Sequence, residues 1–245
     1  MTDRATRPGP APGSGTRPGP TSPSISPMTA EWHPAFEEYC ETIFELSEEG
    51  VRVVQARISE RLGISRPSVS GMVKRLAAEG LVHLDGAEIL LTDDGRALAE
   101  RVVRRHRLAE RFLCDVLGLP WAEAHHEAGK WEHVIGPAVE DALVRVLGNP
   151  TTCPHGNPIP GSEYEAAATR TLASVSVGAD FVVSRIPESL EFQPGVLEFL
   201  ESCHIVPGAS GQVAAAAPDG TVTLDIDGRT FGVGSFAADR ILVTS

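Results

Sequence analysis

The chain has 245 residues and a mass of 26.0 kDa, enough for one large domain or roughly two to three small ones. A hydrophobic share of 42% and a charged share of 22% suit a globular protein with a buried core; no run approaches the roughly 18 apolar residues of a membrane span, and the N-terminus has no apolar signal core. The formal charge of −12 excludes a uniformly basic nucleic-acid coat, yet it is a sum of unlike segments: residues 31–51 carry −7, 52–79 carry +4, 80–95 carry −4 and 96–111 carry +4.

Residues 1–30 begin with a stretch rich in Pro, Gly, Ser and Thr that cannot bury enough apolar surface to offset its ordering entropy, and they are expected to be a disordered tail. A first helix is predicted over 34–50, with Pro34 in its first turn, Gly50 at its stop, and Phe36, Tyr39, Cys40, Ile43, Phe44 and Leu46 at helical spacing. Two short helices follow, over 54–63 and 65–80, around a Gly-containing turn, which reads as helix-turn-helix. Residues 81–92 form two short apolar runs around Asp85-Gly86, a hairpin signal, so the unit is a winged helix. A long helix is predicted from Thr92 to about Leu117, then helices over about 121–134 and 137–147. Residues 148–161 are turn-rich and read as an ordered loop or linker. Beyond about residue 170 short Val/Ile/Phe-rich runs at 173–177, 181–186, 212–217, 221–226, 229–233 and 240–244 alternate with Asp-Gly turns, and a short helix lies near 195–202; these predict a small β-barrel. The fold class is therefore mainly α with small β. Domain limits are expected at 31–100 (winged helix), 101–150 (helical domain), 151–169 (linker) and 170–245 (barrel).

Within the second helix of the helix-turn-helix, Ser65, Pro67, Ser68 and Ser70 stand at its start, where short polar side chains reach base edges and phosphates. Arg57, Arg66, Lys74 and Arg75 supply cations for phosphates. Winged helices also bind proteins, and these residues alone leave both partners open. A second constellation combines carboxylates and imidazoles. Glu38 and Glu41 are i,i+3 on the first helix, and His106 and Glu110 are i,i+4 on the long helix. His125 with Glu132, and His126 with His133, are i,i+7 on the next. Three helices each offering such donors suit a divalent metal in a helical bundle, although each residue alone also reads as part of a solvated face. All donors are O or N, which favours Mn²⁺, Fe²⁺ or Co²⁺ over soft-metal chemistry. The run 126-HEAGKWEH-133 is neither H-E-x-x-H nor H-x-x-E-H, and no P-loop or G-x-S-x-G elbow occurs, so an enzyme with a small-molecule substrate is not expected. Cys40, Cys114, Cys153 and Cys203 are scattered with no C-x-x-C pair, as in a reducing cytoplasm.

The stretches 56-ARISERL-62, 64-ISRPSVSGMVKRL-76, 104-RRHRLAERFL-113, 131-WEHV-134 and 155-HGNPIPG-161 resemble the diphtheria toxin repressor family of metal-dependent transcriptional regulators. The resemblance covers about residues 35–161; the C-terminal part is similar only as an SH3-like domain. It implies a winged-helix DNA-binding domain, a helical dimerisation and metal-binding domain, and a homodimer whose two recognition helices are spaced by metal to fit a palindromic operator. It further implies metal roles for His106, Glu110, Glu132 and His133 and an ancillary role for His125; Glu38 falls where iron-type members have Met and manganese-type members Asp, and Glu41 matches a carboxylate used by manganese-type members, while His126 and Glu188 are weaker candidates. Gly129 stands where iron-type members carry Cys and manganese-type members Glu, and Gly71 where iron-type members carry a base-facing Gln. With Glu38 and Glu41 replacing softer ligands, Mn²⁺ is the expected activator, Fe²⁺ second, with Co²⁺, Ni²⁺ and Zn²⁺ as further divalent ions.

Overall fold

The structure, a computed structural model, describes Met1 and residues 33–245. The tail expected over residues 1–30 lies, but for Met1, outside the described residues. His33–Ser245 form one compact unit.

Helix α1 (Pro34–Glu48) starts where His33 caps it, its Nδ1 accepting from the Ala35 amide at 3.1 Å, with Pro34 in the first turn. Helix α2 (Gln55–Leu62) ends at Gly63, whose φ of 65° closes the turn into α3 (Arg66–Ala78). Strands β1 (Val82–Asp85) and β2 (Glu88–Leu91) pair antiparallel as the wing. Ile43, Ile58, Val69, Val73, Leu76 and Ile89 are fully or almost fully buried and form the core of this winged helix.

Helix α4 (Asp93–Asp115) is capped by Thr92, with Asp93 and Asp94 at the positive end of its dipole. It packs on α1, on α5 (Trp121–Trp131) and on α6 (Pro137–Val146), around Leu108, Leu113, Ala124, Ala128 and Ile159. Helix α5 stops at Trp131, earlier than the predicted 134: residues 132–134 form a turn, with Val134 N–H donating to the Trp131 carbonyl three residues back at 2.9 Å. His126 is exposed on α5, and His133, just beyond the helix end, pairs with Glu37 of α1.

The C-terminal part is an antiparallel sheet in the order β3 (Arg170–Thr171), β8 (Leu242–Thr244), β4 (Asp180–Arg185), β5 (Ser210–Ala216), β6 (Val222–Ile226), β7 (Arg229–Val233). Its core includes Phe181, Val183, Val213, Leu224 and Val243, with Trp121 of α5 packed against it. The strand predicted at 173–177 is instead a 3₁₀ turn at Leu172–Ser174 followed by irregular chain, and β3 is only two residues long. Between β4 and β5 lie α7 (Glu188–Glu191) and α8 (Val196–Ser202); α9 (Ser235–Ala238) precedes β8. The turn-rich stretch before the sheet is an ordered loop packed against it. Cys153, His155, Asn157 and Ile159 are at most 1% exposed, and the His155 carbonyl accepts from the Ile186 amide at 2.8 Å.

Candidate metal centre and nucleic-acid face

Glu37, Glu41 and Glu45 recur every fourth residue on α1, so they share one face. All three are buried, at 6%, 8% and 4% exposure. A glutamate stripe inside a core is stable only where partners compensate it. Glu45 has Arg61, at 3.0 Å, and Glu37 Oε2 has His133 Nδ1, at 2.7 Å. Among the described residues Glu41 makes no salt bridge; it clusters with His106 and Glu132, their donor atoms all within 4.8 Å. His106 is the centre of the arrangement. Its Nδ1 lies 2.5 Å from Glu132 Oε2, and its Nε2 lies 3.3 Å from both Glu110 Oε1 and His125 Nδ1. His125 Nδ1 in turn lies 3.0 Å from Glu110 and 3.2 Å from Glu191. His133 Nε2 is 3.2 Å from Glu132 Oε1 and 3.9 Å from Glu38, whose side chain is half exposed. Glu188 is buried and groups with His125 and Glu191. All seven principal candidates and Glu188 thus lie in or beside one connected set of donors, while His126 sits at its rim.

The sequence reading missed Glu37, which stands closer to His133 than Glu38 does, and also Glu191, Cys153 and His155. The i,i+4 repeat of Glu37, Glu41 and Glu45 was a signal for the first. Glu191 stood three residues from Glu188 on a helix too short to show periodicity.

Protons hold this cluster together. Burial works against charge on His106 and His125, but the carboxylates outweigh it: Glu110 and Glu132 raise the first well above its usual range, and hydrogen bonds to Glu110 and Glu191 push the second to about 10. The Glu37 hydrogen bond, with Glu38 nearby, pushes His133 to about 10. Burial, with Glu132 and Glu45 beside it, raises Glu41 well above the carboxylate range. Glu110 Oε2 and Glu188 Oε2 are buried without a hydrogen bond. Carboxylates facing histidines, with bare oxygens left over, fit a hard or borderline divalent cation, which supplies compensating charge in place of protons.

A cavity of about 470 Å³ opens beside the cluster, lined by Glu38, Glu41, His106, His126, Gly129 and Glu132 among others. A Cβ on Gly129 would meet no heavy atom within 4 Å. A side chain there enters open space next to the donors, and glycine inside a helix is itself about 1 kcal/mol less favourable than alanine. Gly129→Cys is expected to tighten Fe²⁺ or Co²⁺ binding by at least about tenfold, or 1.4 kcal/mol, in chelator-competition titration; unchanged affinity would show that the position does not face the bound ion.

In the winged helix, Ser65 caps α3, its Oγ accepting from the Ser68 amide at 3.4 Å and lying 2.9 Å from Ser68 Oγ. Arg66, Pro67, Ser68 and Lys74 are exposed along α3, Ser70 is half-buried, and Gly71 is exposed with open space around it. Arg57 is exposed and paired with Glu60 at 2.9 Å, while Arg75 lies over the Phe36 ring at 5.1 Å. These are positions suited to a major-groove helix and its flanking phosphate contacts.

A winged helix joined to a helical domain, with a donor cluster spanning the junction, defines a metal-responsive DNA-binding regulator. Family models match accordingly: an iron-dependent repressor N-terminal DNA-binding domain over residues 32–88, an iron-dependent repressor metal-binding and dimerisation domain over 92–161, and a FeoA domain over 170–245. The iron-dependent repressor IdeR of Mycobacterium tuberculosis is 44% identical over 204 residues, covering 78% of this chain and 88% of its own. The diphtheria toxin repressor of Corynebacterium diphtheriae is 39% identical over 203 residues, covering 79% and 89%. Among solved structures, a manganese-dependent transcriptional repressor in complex with manganese superposes with a TM-score of 0.77 at 33% identity, covering 86% of this chain and 99% of its own. ScaR with bound Zn²⁺ superposes at 0.71 and 28% identity, covering the same shares. The chain belongs to the iron-dependent, diphtheria toxin repressor family of transcriptional repressors; it is not an enzyme. Its third part is the SH3-like FeoA domain.

Proposed function

We propose that this protein is a homodimeric repressor activated by Mn²⁺, with Fe²⁺ the second choice, and that it binds palindromic operators of metal-homeostasis genes in the cytoplasm. Glu38, Glu41, His106, Glu110, His125, Glu132 and His133 hold the activating metal, with Glu37 and Glu188 beside them. The observation that carries this reading is the Glu41–His106–Glu132 cluster: one member lies on α1 of the DNA-binding domain and two in the helical domain. A cation bound there ties α1 down and sets the spacing of the two α3 helices in a dimer, a population shift toward the DNA-competent state. Exposed Val116, Leu117, Val134, Val139 and Val146 on the helical domain offer an apolar surface for the second copy. Arg57, Ser65, Arg66, Pro67, Ser68, Ser70, Lys74 and Arg75 form the operator face.

The experiment is fluorescence anisotropy on labelled DNA from a metal-transporter promoter, titrated with Mn²⁺, Fe²⁺, Co²⁺, Ni²⁺ and Zn²⁺. Mn²⁺ is expected to activate at the lowest free concentration. Equal response to Mn²⁺ and Fe²⁺ would remove the argument from the carboxylate donors, and binding independent of any metal would remove the switch. The absence of a side chain at Gly129 favours one second reading, a regulator of the same fold whose metal response is weakened.

Because bound metal displaces protons from these donors, affinity rises with pH, by about tenfold per pH unit for each proton released. The metal-free protein behaves oppositely. Its histidines, raised to about 10 in His125 and His133, stabilise it fully below their unfolded value of about 6.5, and that stability drains away as pH rises toward 10. The metal-induced rise in Tm therefore grows between pH 6 and 8. Calorimetric scans at the two pH values check this, and a constant rise would contradict it.

A further inference from the structure

We propose that Cys153, His155 and Glu110, with Glu191 as a fourth donor, form an internal site for a thiophilic divalent cation of the Zn²⁺ or Co²⁺ class, behind the activating centre. The loop that holds them is built as a cradle. The Cys153 amide donates to the Asn157 carbonyl at 2.9 Å and the Gly156 amide to the Cys153 carbonyl at 3.0 Å, so residues 153–157 form a tight turn. Gly156 sits at φ 86°, and a Cβ there would overlap the Ser184 carbonyl oxygen, so the turn lies directly on β4. Asn157 fastens it further, its Nδ2 donating to Glu191 Oε1 at 2.6 Å and to the Ile186 carbonyl at 3.0 Å.

That turn aims two donors at one carboxylate. Cys153 Sγ lies 3.9 Å from His155 Nδ1, and His155 Nδ1 lies 3.5 Å from Glu110 Oε1 and 2.9 Å from Glu191 Oε2. Tetrahedral zinc with bonds of about 2.0–2.3 Å has ligand-to-ligand edges of about 3.3–3.8 Å, so small adjustments close the set around an ion. Glu110, Cys153 and His155 are all fully or almost fully buried, and their donor atoms lie within 4.8 Å of one another. One further observation points to a ligand: Glu110 Oε2 is buried with no hydrogen bond. Trp121 stands perpendicular to the His155 ring at 4.6 Å and walls the site from solvent.

The donor set, one S, one N and carboxylate O, differs in softness from the O and N donors of the activating centre, so the two sites prefer different metals. The inference deepens the proposed function, because Glu110 belongs to both clusters: its Oε1 lies near His106, His125 and His155 alike, and its Oε2 has no hydrogen bond. Among the described residues, Cys153 is the one cysteine in a group with metal-holding geometry.

The test is anaerobic Co²⁺ titration of the full-length protein followed by absorption. Thiolate ligation adds a near-ultraviolet sulfur-to-cobalt charge-transfer band that O and N donors cannot produce, whereas either site contributes visible d–d bands. The expected result is a charge-transfer band in the native protein that is lost in both Cys153→Ser and Cys153→Ala while d–d bands persist, which also shows that the variants are folded. It should survive in Cys114→Ser. Absence of the band in the native protein, or its persistence in the Cys153 variants, overturns the internal site and leaves the activating centre standing. Absence of all cobalt bands overturns both.

Discussion

His106→Ala abolishes metal-dependent operator binding. His106 is where the donors of three helices converge: Glu132 at 2.5 Å, Glu110 and His125 at 3.3 Å, and Glu41 in the same group. Loss of a group that only supports a metal ligand weakens metal binding by about 10–100-fold, so loss of this central ligand should exceed about 100-fold. Two measurements separate loss of the switch from loss of the fold. At a metal concentration 100 times Kd the native protein gains about 2.7 kcal/mol of stability, read as a rise in Tm, and the variant should gain none. In DNA titrations the variant should keep the weak, sequence-independent binding supplied by Arg57, Arg66 and Lys74, and lose only the metal-induced increment. If the variant still tightens on its operator with Mn²⁺, the donor cluster is not the activating site.

Arg107→Met carries the largest expected effect on stability. Arg107 is 0% exposed, next to His106 on α4. Its guanidinium donates to Glu48 at the end of α1 at 2.9 and 3.2 Å, to Glu188 on α7 at 3.2 and 3.3 Å, and to the Pro158 carbonyl in the loop before the sheet. One side chain thus ties together segments of all three family domains. Arg185 shares Glu48 at 2.6 Å. Glu48 is buried enough to oppose ionisation, but Arg107 and Arg185 overcome that and lower it below the usual carboxylate range. Removing one partner of such a group strands the others, a loss of about 3–5 kcal/mol. At about 2–4 °C per kcal/mol for a chain of this size, Tm should fall by roughly 6–20 °C. Adding Glu188→Gln to Arg107→Met removes one stranded charge, so part of the loss should return. If Arg107→Met melts within a degree or two of the native protein, the network does not hold the domains together. The weakening of Glu48's tie below the pH at which it protonates adds an acid limit: this contribution is present above about pH 4.5 and fades as pH falls through the lowered value.

How much of this was legible in the residues depends on the range of the interactions involved. The winged helix was readable because its signals are local: Pro34, Gly63 and the Ser65 cap punctuate helices whose apolar stripes face one way, and Asp85-Gly86 makes the wing. The candidate ligands on α4 and α5 were readable because i,i+4 spacing places side chains on a common face. Local signals failed where tertiary contacts decided. Helix α5 ends at Trp131, and His133 just beyond it meets Glu37 of α1. The Val/Ser alternation at 173–177 resembles a strand but has no partner strand to pair with. The run from Cys153 to Pro160 has the composition of a loop, yet it is held under the sheet by Asn157 and Gly156.

The −12 charge shows the same division. The amino-acid sequence by itself determined that acidic and basic segments alternate, that the basic ones fall on the recognition region and on α4, and that O and N donors recur at helical spacing. Only the tertiary structure decided which acids face inward. Glu37, Glu41, Glu45, Glu110, Glu132, Glu188 and Glu191 are all buried, and a buried carboxylate must find a cation, a proton or a hydrogen bond. The partners come from helices and loops far apart in the chain, His133 for Glu37, His106 for Glu132, His155 for Glu110 and Arg107 for Glu188. Pairings over such separations are set by how three domains pack, because no local periodicity encodes them.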